Sequence, residues 1–583
     1  MSIHHTRTEI PPHLQPYVVE QVYERYTPVE QATWRFIMRN ARALFSKSAH
    51  SVYLEGLQKT GIPIQEIPRI EEIDRVLSEF GWGAVCVRGF IPPLAFLDFQ
   101  ARKILPIAAD MRTLAHVSYT PAPDIVHEAA GHAPILADAE YARYLTRYAT
   151  LAKKAIFSAE DVQVYEAIRK LSDTKESPDC SPAEIAQAQA ELEEANSKVS
   201  WVSEAAKVAR MNWWTAEYGL VGSLKAPKIF GAGLLSSLAE AKSCLGVSVR
   251  KMPLSLACIE QGYDITEPQP QLFVARDFAH LLEVLLELEA TLSFRRGGEY
   301  GLATAQKSQA VTTALWESGV AVSGILESYR QHEGQAAYAR WRGAVQICEG
   351  EKELPGQGRA QHPDGFSSPL GAWKGTSKEP HRLTDADLSA LELHQGKRCA
   401  LVFASGVRVA GVLHHWVRSQ AGALLLLSWR EAEVVWNGDC LFHPDWGDFD
   451  MLVGTTAQSV YGGPADWGAY GGFALGAASS SPGRALPYTE SELRMFALYQ
   501  QIRNCRQTPD SLTAQQILGI GASALQAYPE EWLLHLEVLE LAARYCRASE
   551  TAELRRCVEA ASDRCPELSS FIQQSLRMLT QPD

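Results

Sequence analysis

The sequence lacks three features that would assign it to a common class of protein. It has no stretch of about 18 apolar residues that could span a bilayer. Its 11 cysteines form no CxxC pair, and its net charge is -13 at pH 7. These absences argue against a membrane protein, a disulfide framework, a thiolate zinc site and a general nucleic-acid surface. Because the first residues also lack the apolar run of a signal peptide, the sequence predicts a cytoplasmic protein with reduced thiols.

The chain is long enough to form several domains, since its 583 residues exceed what one hydrophobic core usually organises. Residues 1–298 carry apolar residues at helical spacing, which predicts a mainly α-helical domain. Within it, the stretch 155–205 is rich in alanine, glutamate and lysine and predicts a polar helical insertion. Residues 486–583 again show helical spacing and predict an α-helical C-terminal domain.

Residues 299–478 differ in character, because short β-branched runs separated by glycines predict a β-rich region. ESGVAVSGIL (317–326) recurs as ASGVRVAGVL (404–413), 87 residues later. WRGAV (341–345) recurs as WREAEVV (429–435), 88 residues later. Two landmarks at nearly one offset indicate a duplicated β unit, covering 317–345 and 404–435, and the alternation after each Ser-Gly is typical of a hairpin.

The segment PDIVHEAAGHAPILAD (123–138) holds two histidines, His127 and His132, five residues apart. Zinc peptidases place two histidines four residues apart on one helical face, whereas a spacing of five separates them by about 140° on an ideal helix. The imidazoles converge only if the helix ends or distorts between them. Gly131 favours such a distortion, and Pro134 is expected to end the helix. Two imidazoles and a carboxylate would form the facial triad of non-haem iron(II) enzymes. The segment alone is equally compatible with a capped helix end carrying surface histidines.

This segment resembles the tetrahydropterin-dependent aromatic amino acid hydroxylase family. YTPAPDIVHEAAGHAPILAD (119–138) matches the family pattern Y-T-P-x-P-D-x-x-H-E-x-x-G-H-x-P-x-x-x-D at every fixed position. The resemblance continues, in order, through IPRIEEIDRVLSEFGWGAV upstream and then WWTAEYGL, FGAGLLSSLAE and DITEPQPQLFVARDF downstream. It covers residues 20–295 and implies a phenylalanine 4-monooxygenase-like oxidoreductase. Such an enzyme uses iron(II), a tetrahydropterin and O2 to hydroxylate an aromatic amino acid, most simply L-phenylalanine to L-tyrosine.

The resemblance also implies a role for individual residues. The implied metal ligands, which act in catalysis, are His127, His132 and Glu217. Residues implied at the substrate are Arg112, Thr120, Trp213, Ser236 and Glu240, with Arg112 pairing the substrate carboxylate. Residues implied at the tetrahydropterin are Gly89, Ile91, Phe96 and Glu128. Asp124 is expected to accept a hydrogen bond from a ligand histidine and so to orient its ring.

Two departures from the family pattern leave the substrate open. His132 and Glu217 lie 85 positions apart, about twice the family spacing. The surplus, residues 155–205, is expected to be a solvated helical hairpin; the alternative is a lid over the substrate entrance. Asn212 stands where phenylalanine hydroxylases carry an aromatic residue. Alternative substrates are therefore tyrosine, tryptophan or a carrier-bound aromatic residue. In the last case the C-terminal half would bind the carrier protein or another protein partner. A zinc-dependent hydrolase is the alternative from another class.

Overall fold

The computed structural model describes residues 10–89, 91–117, 123–176, 180–265, 268–471, 488–508 and 513–579. In chain order it contains a helical part with two small sheets, a part built from two larger sheets, and a second helical part. This order of helical, β-rich and helical segments is the one that the sequence predicts. In the part of the chain that the structure describes, no helix is both long and apolar enough to cross a membrane.

The first helical part is organised around the long helix Pro28–Ser48, which begins with a capping box. Thr27 Oγ1 accepts from the backbone N–H of Glu30, and the Glu30 carboxylate accepts from the N–H of Thr27. The other α-helices are Ser51–Lys59, Ile70–Leu77, Pro93–Ala101, Ala133–Ile135, Ala139–Ala152, Ala159–Glu176, Pro182–Ser197, Glu204–Asn212, Ala232–Ser236, Leu238–Ser243, Phe278–Thr291, Ser293–Arg296 and Gly298–Ser308. Two π-helices, Val126–His132 and Trp213–Glu217, interrupt them.

Two small sheets support these helices. Strands β1 (Gly83–Val87) and β2 (Ile104–Ala108) are parallel, with Gly83 opposite Ile104. Strands β3 (Leu220–Ser223), β4 (Ala226–Ile229), β5 (Arg250–Pro253) and β6 (Gln271–Ala275) form a sheet of order β4-β3-β6-β5. Short 3₁₀ turns along the chain are Gln15–Tyr17, Tyr23–Arg25, Ser78–Phe80, Leu114–His116, Leu256–Glu260, Pro380–Arg382 and Pro444–Trp446.

The polar insertion forms two consecutive helices, Ala159–Glu176 and Pro182–Ser197, that contact each other. An ion pair of 2.6 Å between Lys170 and Glu191 links them on the surface. At the base of the insertion, Phe157 packs against the same hydrophobic cluster as Phe96. The helices thus form the expected hairpin, and its base is anchored to the region implied to bind the tetrahydropterin.

The β-rich part begins at Val311, after the helix Gly298–Ser308, which lies within the segment predicted to be β-rich. One sheet has the order β10-β9-β8-β7-β17, with β11 paired to β9. The other has the order β12-β13-β14-β15, with β16 paired to β14. Their strands are β7 (Val311–Trp316), β8 (Val320–His332), β9 (Gln335–Glu349), β10 (Lys352–Glu353), β11 (Gly365–Pro369), β12 (Arg398–Val402), β13 (Arg408–Arg418), β14 (Leu424–Trp436), β15 (Asp439–Phe442), β16 (Phe449–Leu452) and β17 (Ala457–Gly462); two short helices, Asp385–Ala390 and Trp467–Tyr470, accompany them.

The two copies of the sequence repeat occupy equivalent places in these sheets. In the first copy Leu326 on β8 pairs with Trp341 on β9, and in the second Leu413 on β13 pairs with Trp429 on β14. A later strand pairs with each tryptophan, with Phe366 opposite Trp341 and Phe449 opposite Trp429. Both tryptophans are buried. Each copy is therefore an antiparallel unit organised around one buried tryptophan.

The C-terminal part consists of the helices Glu490–Gln507, Ala514–Ala527, Trp532–Tyr545, Ala552–Arg564 and Pro566–Met578. It contacts the helix Pro28–Ser48 of the first helical part. Phe36 meets Trp532 edge to face, with ring centroids 5.1 Å apart. Asn40 Nδ2 donates to Ser575 Oγ over 2.9 Å. The last helices of the chain are thus held against the long helix of the first helical part.

Candidate metal centre and substrate site

His127 and His132 lie on the π-helix Val126–His132. Hydrogen bonds between residues five apart close each turn of a π-helix, so side chains five apart share a face. The two rings are 5.0 Å apart between centroids, with their planes crossing at 84°. The helix then continues as Ala133–Ile135, which contains Pro134. The histidines converge through distortion, as expected, and the helix ends at Ile135, one residue after Pro134.

Gly131 allows a close approach between this π-helix and the helix Ala232–Ser236. A Cβ atom at position 131 would lie 2.8 Å from the carbonyl oxygen of Ala232 and 3.1 Å from its Cβ. Such distances are shorter than non-bonded contacts allow, so only glycine fits without moving one of the two segments. The contact brings Ser236, at the end of that helix, beside His127.

A hydrogen bond of 3.0 Å between Ser236 Oγ and His127 Nδ1 sets the tautomer of this histidine. The single hydroxyl proton of Ser236 points to the carbonyl oxygen of Gly233, 3.2 Å away, so the serine oxygen accepts from His127. The proton of the imidazole is then on Nδ1, and Nε2 carries a lone pair. Burial lowers the pKa of His127 to about 4, so the ring is neutral at pH 7.

Glu217 lies on the second π-helix and faces both histidines. Its Oε2 is 3.4 Å from His127 Nε2, and its Oε1 is 3.3 Å from His132 Nε2. In the described part of the chain, neither ring nitrogen of His132 has a hydrogen-bond partner, although the residue is only 2% exposed. Burial disfavours charge on His132, but the Glu217 carboxylate outweighs burial and raises the pKa of this histidine to about 9. A buried imidazolium whose Nδ1 has no partner among the described residues is costly, and so is the repulsion between the lone pairs of His127 and Glu217. A metal cation held by these three side chains would remove both costs.

Glu128 is a second carboxyl group beside the histidines. Its Oε1 is 4.0 Å from His127 Nε2, and one possible ligand atom each from His127, Glu128 and His132 lie within 4.8 Å of one another. Burial raises the pKa of Glu128 to about 8, so this group is a neutral acid at pH 7. Burial also raises the pKa of Glu217, but the neighbouring His132 and His127 outweigh it and lower this pKa to about 2. The charge and the shorter distances therefore favour Glu217 as the third ligand.

The sequence led us to expect that Asp124 contacts the ring of a ligand histidine, but it does not contact the His127 ring. Its Oδ1 accepts from the backbone N–H of His127 over 3.1 Å, and its two oxygens accept from Arg112 Nε and Nη2, both over 2.7 Å. Three residues before His127, the carboxylate is placed as a helix cap and reaches the backbone rather than the ring. The expectation for Asp124 was therefore wrong, and Ser236, which we expected at the substrate, takes its place.

Arg112 has a buried side chain, only 1% of which is exposed. Besides its two bonds to Asp124, it donates from Nη1 to the carbonyl oxygen of Ser236 over 2.9 Å. These bonds use three of the five guanidinium N–H groups, so two donors have no partner among the residues that the structure describes. Asp124 and Ser236 thus hold the guanidinium rigidly while leaving donors that a substrate carboxylate can use.

Trp213 is stacked between two tyrosines. Its ring lies 4.3 Å from that of Tyr263, at an angle of 10°, and 4.4 Å from that of Tyr218, at 23°. Tyr218 OH donates to Glu240 Oε2 over 2.8 Å, which connects the expected residues Trp213 and Glu240. Tyr263 was not predicted from the sequence, although it stands directly before the segment DITEPQPQ, which offered a signal for it. Thr120 lies outside the described residues.

The residues implied at the tetrahydropterin lie around strand β1 and the helix Pro93–Ala101. Gly89 has a positive φ of 58°, a conformation that favours glycine, and its N–H donates to Asp110 Oδ2 over 3.3 Å. Ile91 is buried, and Phe96 packs half-buried against the same hydrophobic cluster. Trp467, from the short helix after β17, packs against this cluster as well. Phe157 and Trp467 are neighbours of this region that sequence reasoning missed.

The chain is similar to proteins of one enzyme family. Residues 17–164 and 183–306 match the family described as biopterin-dependent aromatic amino acid hydroxylase, and these ranges include every candidate site residue. Phenylalanine-4-hydroxylase of Mesorhizobium japonicum is 28% identical over 286 residues, which cover 48% of this chain and 87% of that protein. The rat phenylalanine-4-hydroxylase (Rattus norvegicus) is 28% identical over 275 residues, which cover 46% of this chain and 50% of that protein.

Among solved structures, the chain is similar to phenylalanine hydroxylase from Chromobacterium violaceum. The cobalt-bound crystal structure is 23% identical, covers 48% of this chain and 88% of its own, and has a TM-score of 0.36. The structure with bound iron(III) and 7,8-dihydrobiopterin is 23% identical, covers 47% of this chain and 85% of its own, and has a TM-score of 0.37.

Proposed function

Since residues 17–164 and 183–306 match the family described as biopterin-dependent aromatic amino acid hydroxylase, we propose that the protein is a phenylalanine 4-monooxygenase-like oxidoreductase. Its reaction would be the hydroxylation of the ring of L-phenylalanine to L-tyrosine with O2. The observation that carries this proposal is the convergence of His127, His132 and Glu217, because two imidazoles and one carboxylate that meet at one point suit iron(II).

His127, His132 and Glu217 would hold the metal through Nε2, Nε2 and a carboxylate oxygen. When bound, iron(II) and a tetrahydropterin would together supply the activation of O2. The protein's own contribution is to prepare the ligands: Ser236 keeps the Nε2 lone pair of His127 directed at Glu217, and Glu217 is already an anion. Glu128 keeps its proton at pH 7 and so adds no second negative charge to the site.

Arg112 and Trp213 suit the two ends of an aromatic amino acid. The free N–H groups of Arg112 would bind the substrate carboxylate, while Asp124 keeps the guanidinium from turning away. Trp213, stiffened by the stacked Tyr218 and Tyr263, would form an aromatic wall of the pocket for the substrate ring. Gly89, Ile91 and Phe96 would receive the tetrahydropterin on the side of strand β1.

The proposal is tested by anaerobic reconstitution of the full chain with iron(II) and tetrahydrobiopterin. Air is then admitted with phenylalanine, tyrosine or tryptophan in separate vials, and the products are identified by mass. We expect tyrosine from phenylalanine with the unaltered chain and none with Glu217→Gln. Glu184→Gln, which removes a carboxylate from the exposed helix cap at Ser181, is the matched control and should retain activity.

Other outcomes would change the proposal in defined ways. Hydroxylation of tyrosine or tryptophan in place of phenylalanine would keep the reaction and overturn the substrate. Oxidation of the pterin without a hydroxylated amino acid in any vial would point to a carrier-bound aromatic residue. If the purified protein retains zinc and consumes no O2, the result would contradict a monooxygenase and support the alternative of a zinc-dependent hydrolase.

A further inference from the structure

A cavity of about 260 Å³ lies where the first helical part meets strand β17 of the β-rich part. Its helical side includes Arg147 and Lys154, at and after the end of the helix Ala139–Ala152, and its strand side includes Ser459. Sites for drug-sized molecules usually begin at roughly 300 Å³, so this cavity suits a smaller ligand. None of its lining residues is assigned to the metal, the substrate or the tetrahydropterin.

The side chains that line this cavity carry more positive than negative charge. Among the described residues, the charged ones are Arg147, Lys154 and Arg295, with Glu289 as the single carboxylate. The chain as a whole has a net charge of -13, so this local excess of cations runs against its composition. A concave surface of one charge concentrates ions of the opposite charge.

Glu289 is shared by the two arginines. Arg147 Nε donates to its Oε2 over 2.9 Å, and Arg295 Nε donates to its Oε1. The Glu289 side chain is only 5% exposed. Burial raises the pKa of Glu289, but the hydrogen bonds and charges of Arg147 and Arg295 outweigh burial and lower this pKa, so the group is an anion at pH 7. One negative charge therefore serves two guanidinium groups.

All three cations have donors that could bind a further anion. Each arginine uses Nε and Nη2 for Glu289, and neither Nη1 has a hydrogen-bond partner in the part of the chain that the structure describes. Within the same residues, Lys154 Nζ contacts no carboxylate; the ring centroid of Tyr461 lies 5.4 Å from it. The free edge of a guanidinium and an ammonium group both bind carboxylate or phosphate oxygens.

Strand β17 fixes the position of these cations. The backbone N–H of Gly462 donates to the carbonyl oxygen of Lys154 over 3.0 Å, and Ser459 Oγ donates to the carbonyl oxygen of Phe294 over 2.9 Å. A Cβ atom at position 462 would lie 2.3 Å from the carbonyl oxygen of Ala155, so only glycine allows this approach. The backbone on both sides of the cavity is thus held in place without a ligand.

We propose that this cavity binds a small anion that carries a phosphate or a carboxylate group. The anion would be held by the Nη1 groups of Arg147 and Arg295 and by the ammonium group of Lys154. It would lie at the junction between the segment that matches the hydroxylase family and the β-rich part, which begins beyond the matched residues. The site goes beyond the proposed hydroxylation and does not depend on it.

The test is isothermal titration of the full chain, without added iron or pterin, with inorganic phosphate and, separately, with malonate. Sodium chloride keeps the ionic strength constant, so that general charge screening does not register as binding. We expect saturable binding of at least one probe, and the two probes distinguish a phosphate from a carboxylate ligand. Lys154→Gln should weaken this binding at least tenfold, and it breaks no ion pair among the described residues. Lys198→Gln, which removes an exposed lysine paired with Glu194, is the matched control and should leave binding unchanged.

A second variant separates loss of the site from loss of the fold. Arg295→Gln removes a side chain that is 52% exposed and leaves Glu289 paired with Arg147, so this variant should fold and should also bind more weakly. Weaker binding in Lys154→Gln or in Arg295→Gln, with unchanged binding in Lys198→Gln, supports the site. The proposal is overturned if neither probe binds saturably, if both cavity variants bind as tightly as the unaltered chain, or if Lys198→Gln weakens binding equally.

Discussion

Ser236 and His127, which are 109 residues apart in sequence, are joined by a hydrogen bond of 3.0 Å between Oγ and Nδ1. The bond determines which nitrogen of His127 faces Glu217, because the hydroxyl proton of Ser236 is used on the carbonyl oxygen of Gly233. The backbone carbonyl of the same serine accepts from Arg112. One residue thereby connects a proposed metal ligand with the arginine proposed to bind the substrate.

Ser236→Ala should lower the affinity for the metal. The variant loses the acceptor that keeps the Nδ1 proton of His127 in place, and the loss of such an outer partner typically costs about 10–100-fold in metal affinity. Anaerobic titration with iron(II), or with cobalt(II) followed by absorbance, measures the effect. Ser243→Ala, on the next helix, removes an exposed hydroxyl that donates to the carbonyl of Glu240 and is the matched control. Equal affinity of the two variants would refute the role of Ser236.

Glu217→Gln and Glu128→Gln should differ sharply in metal affinity. Glu217 is an anion with its oxygens 3.3 and 3.4 Å from the two Nε2 atoms, whereas burial keeps Glu128 protonated at pH 7. We expect the first variant to lose affinity by roughly a hundredfold or more, since one charged ligand is replaced by a neutral amide. The second should stay within about threefold of the unaltered protein. The same cobalt(II) titration measures both variants. A larger loss of metal affinity in Glu128→Gln than in Glu217→Gln would make Glu128 the third ligand instead of Glu217.

Gly131→Ala should destabilise the protein and weaken the metal site together. The added Cβ would lie 2.8 Å from the Ala232 carbonyl oxygen, so the helix Ala232–Ser236 must move away and carry Ser236 with it. Overpacking of this kind typically costs about 1–3 kcal/mol. Gly519→Ala is the matched control, because a Cβ there meets no atom within 4 Å and the residue is helical. We expect the control to be neutral or slightly stabilising in thermal unfolding; a neutral Gly131→Ala would contradict the close contact.

Asp98→Asn should destabilise the protein at neutral pH and much less in acid. Burial raises the pKa of Asp98, but its hydrogen bond with His13 and the charges of Lys153 and Arg102 outweigh burial and lower this pKa to about 2. A carboxyl whose pKa is lowered on folding stabilises the protein above its ordinary pKa of 3.8, and this contribution disappears as the pH falls through about 2.

The free energy at stake for Asp98 is about 2 kcal/mol at pH 7, since one pKa unit corresponds to about 1.4 kcal/mol. Urea unfolding of the unaltered protein and of Asp98→Asn at a series of pH values between 2 and 7 measures it. The difference between the two should shrink steadily below about pH 4. A difference that is constant over this range would show that the charge of Asp98 contributes nothing.

Several features of the protein could be predicted from the sequence because each depends on a short motif or on a periodic pattern of residues. The segment 123–138 and Glu217 were predicted as a unit from short motifs. The repeat could be recognised because each copy places its leucine and tryptophan opposite each other, at Leu326 and Trp341 and again at Leu413 and Trp429. The order of helical, β-rich and helical parts followed from spacing alone.

The residues that contact the site residues could not be predicted from motifs or periodicity. The sequence by itself identified the side chains that are proposed to carry the chemistry, namely two imidazoles, a carboxylate and an arginine. Only the tertiary structure decided that Ser236 rather than Asp124 meets the His127 ring, that a π-turn rather than a helix stop aligns the histidines, and that Tyr263 stacks on Trp213. The physical reason is that such contacts depend on how closely two remote segments approach. A missing Cβ at Gly131 permits that approach, and no periodicity within either segment records it.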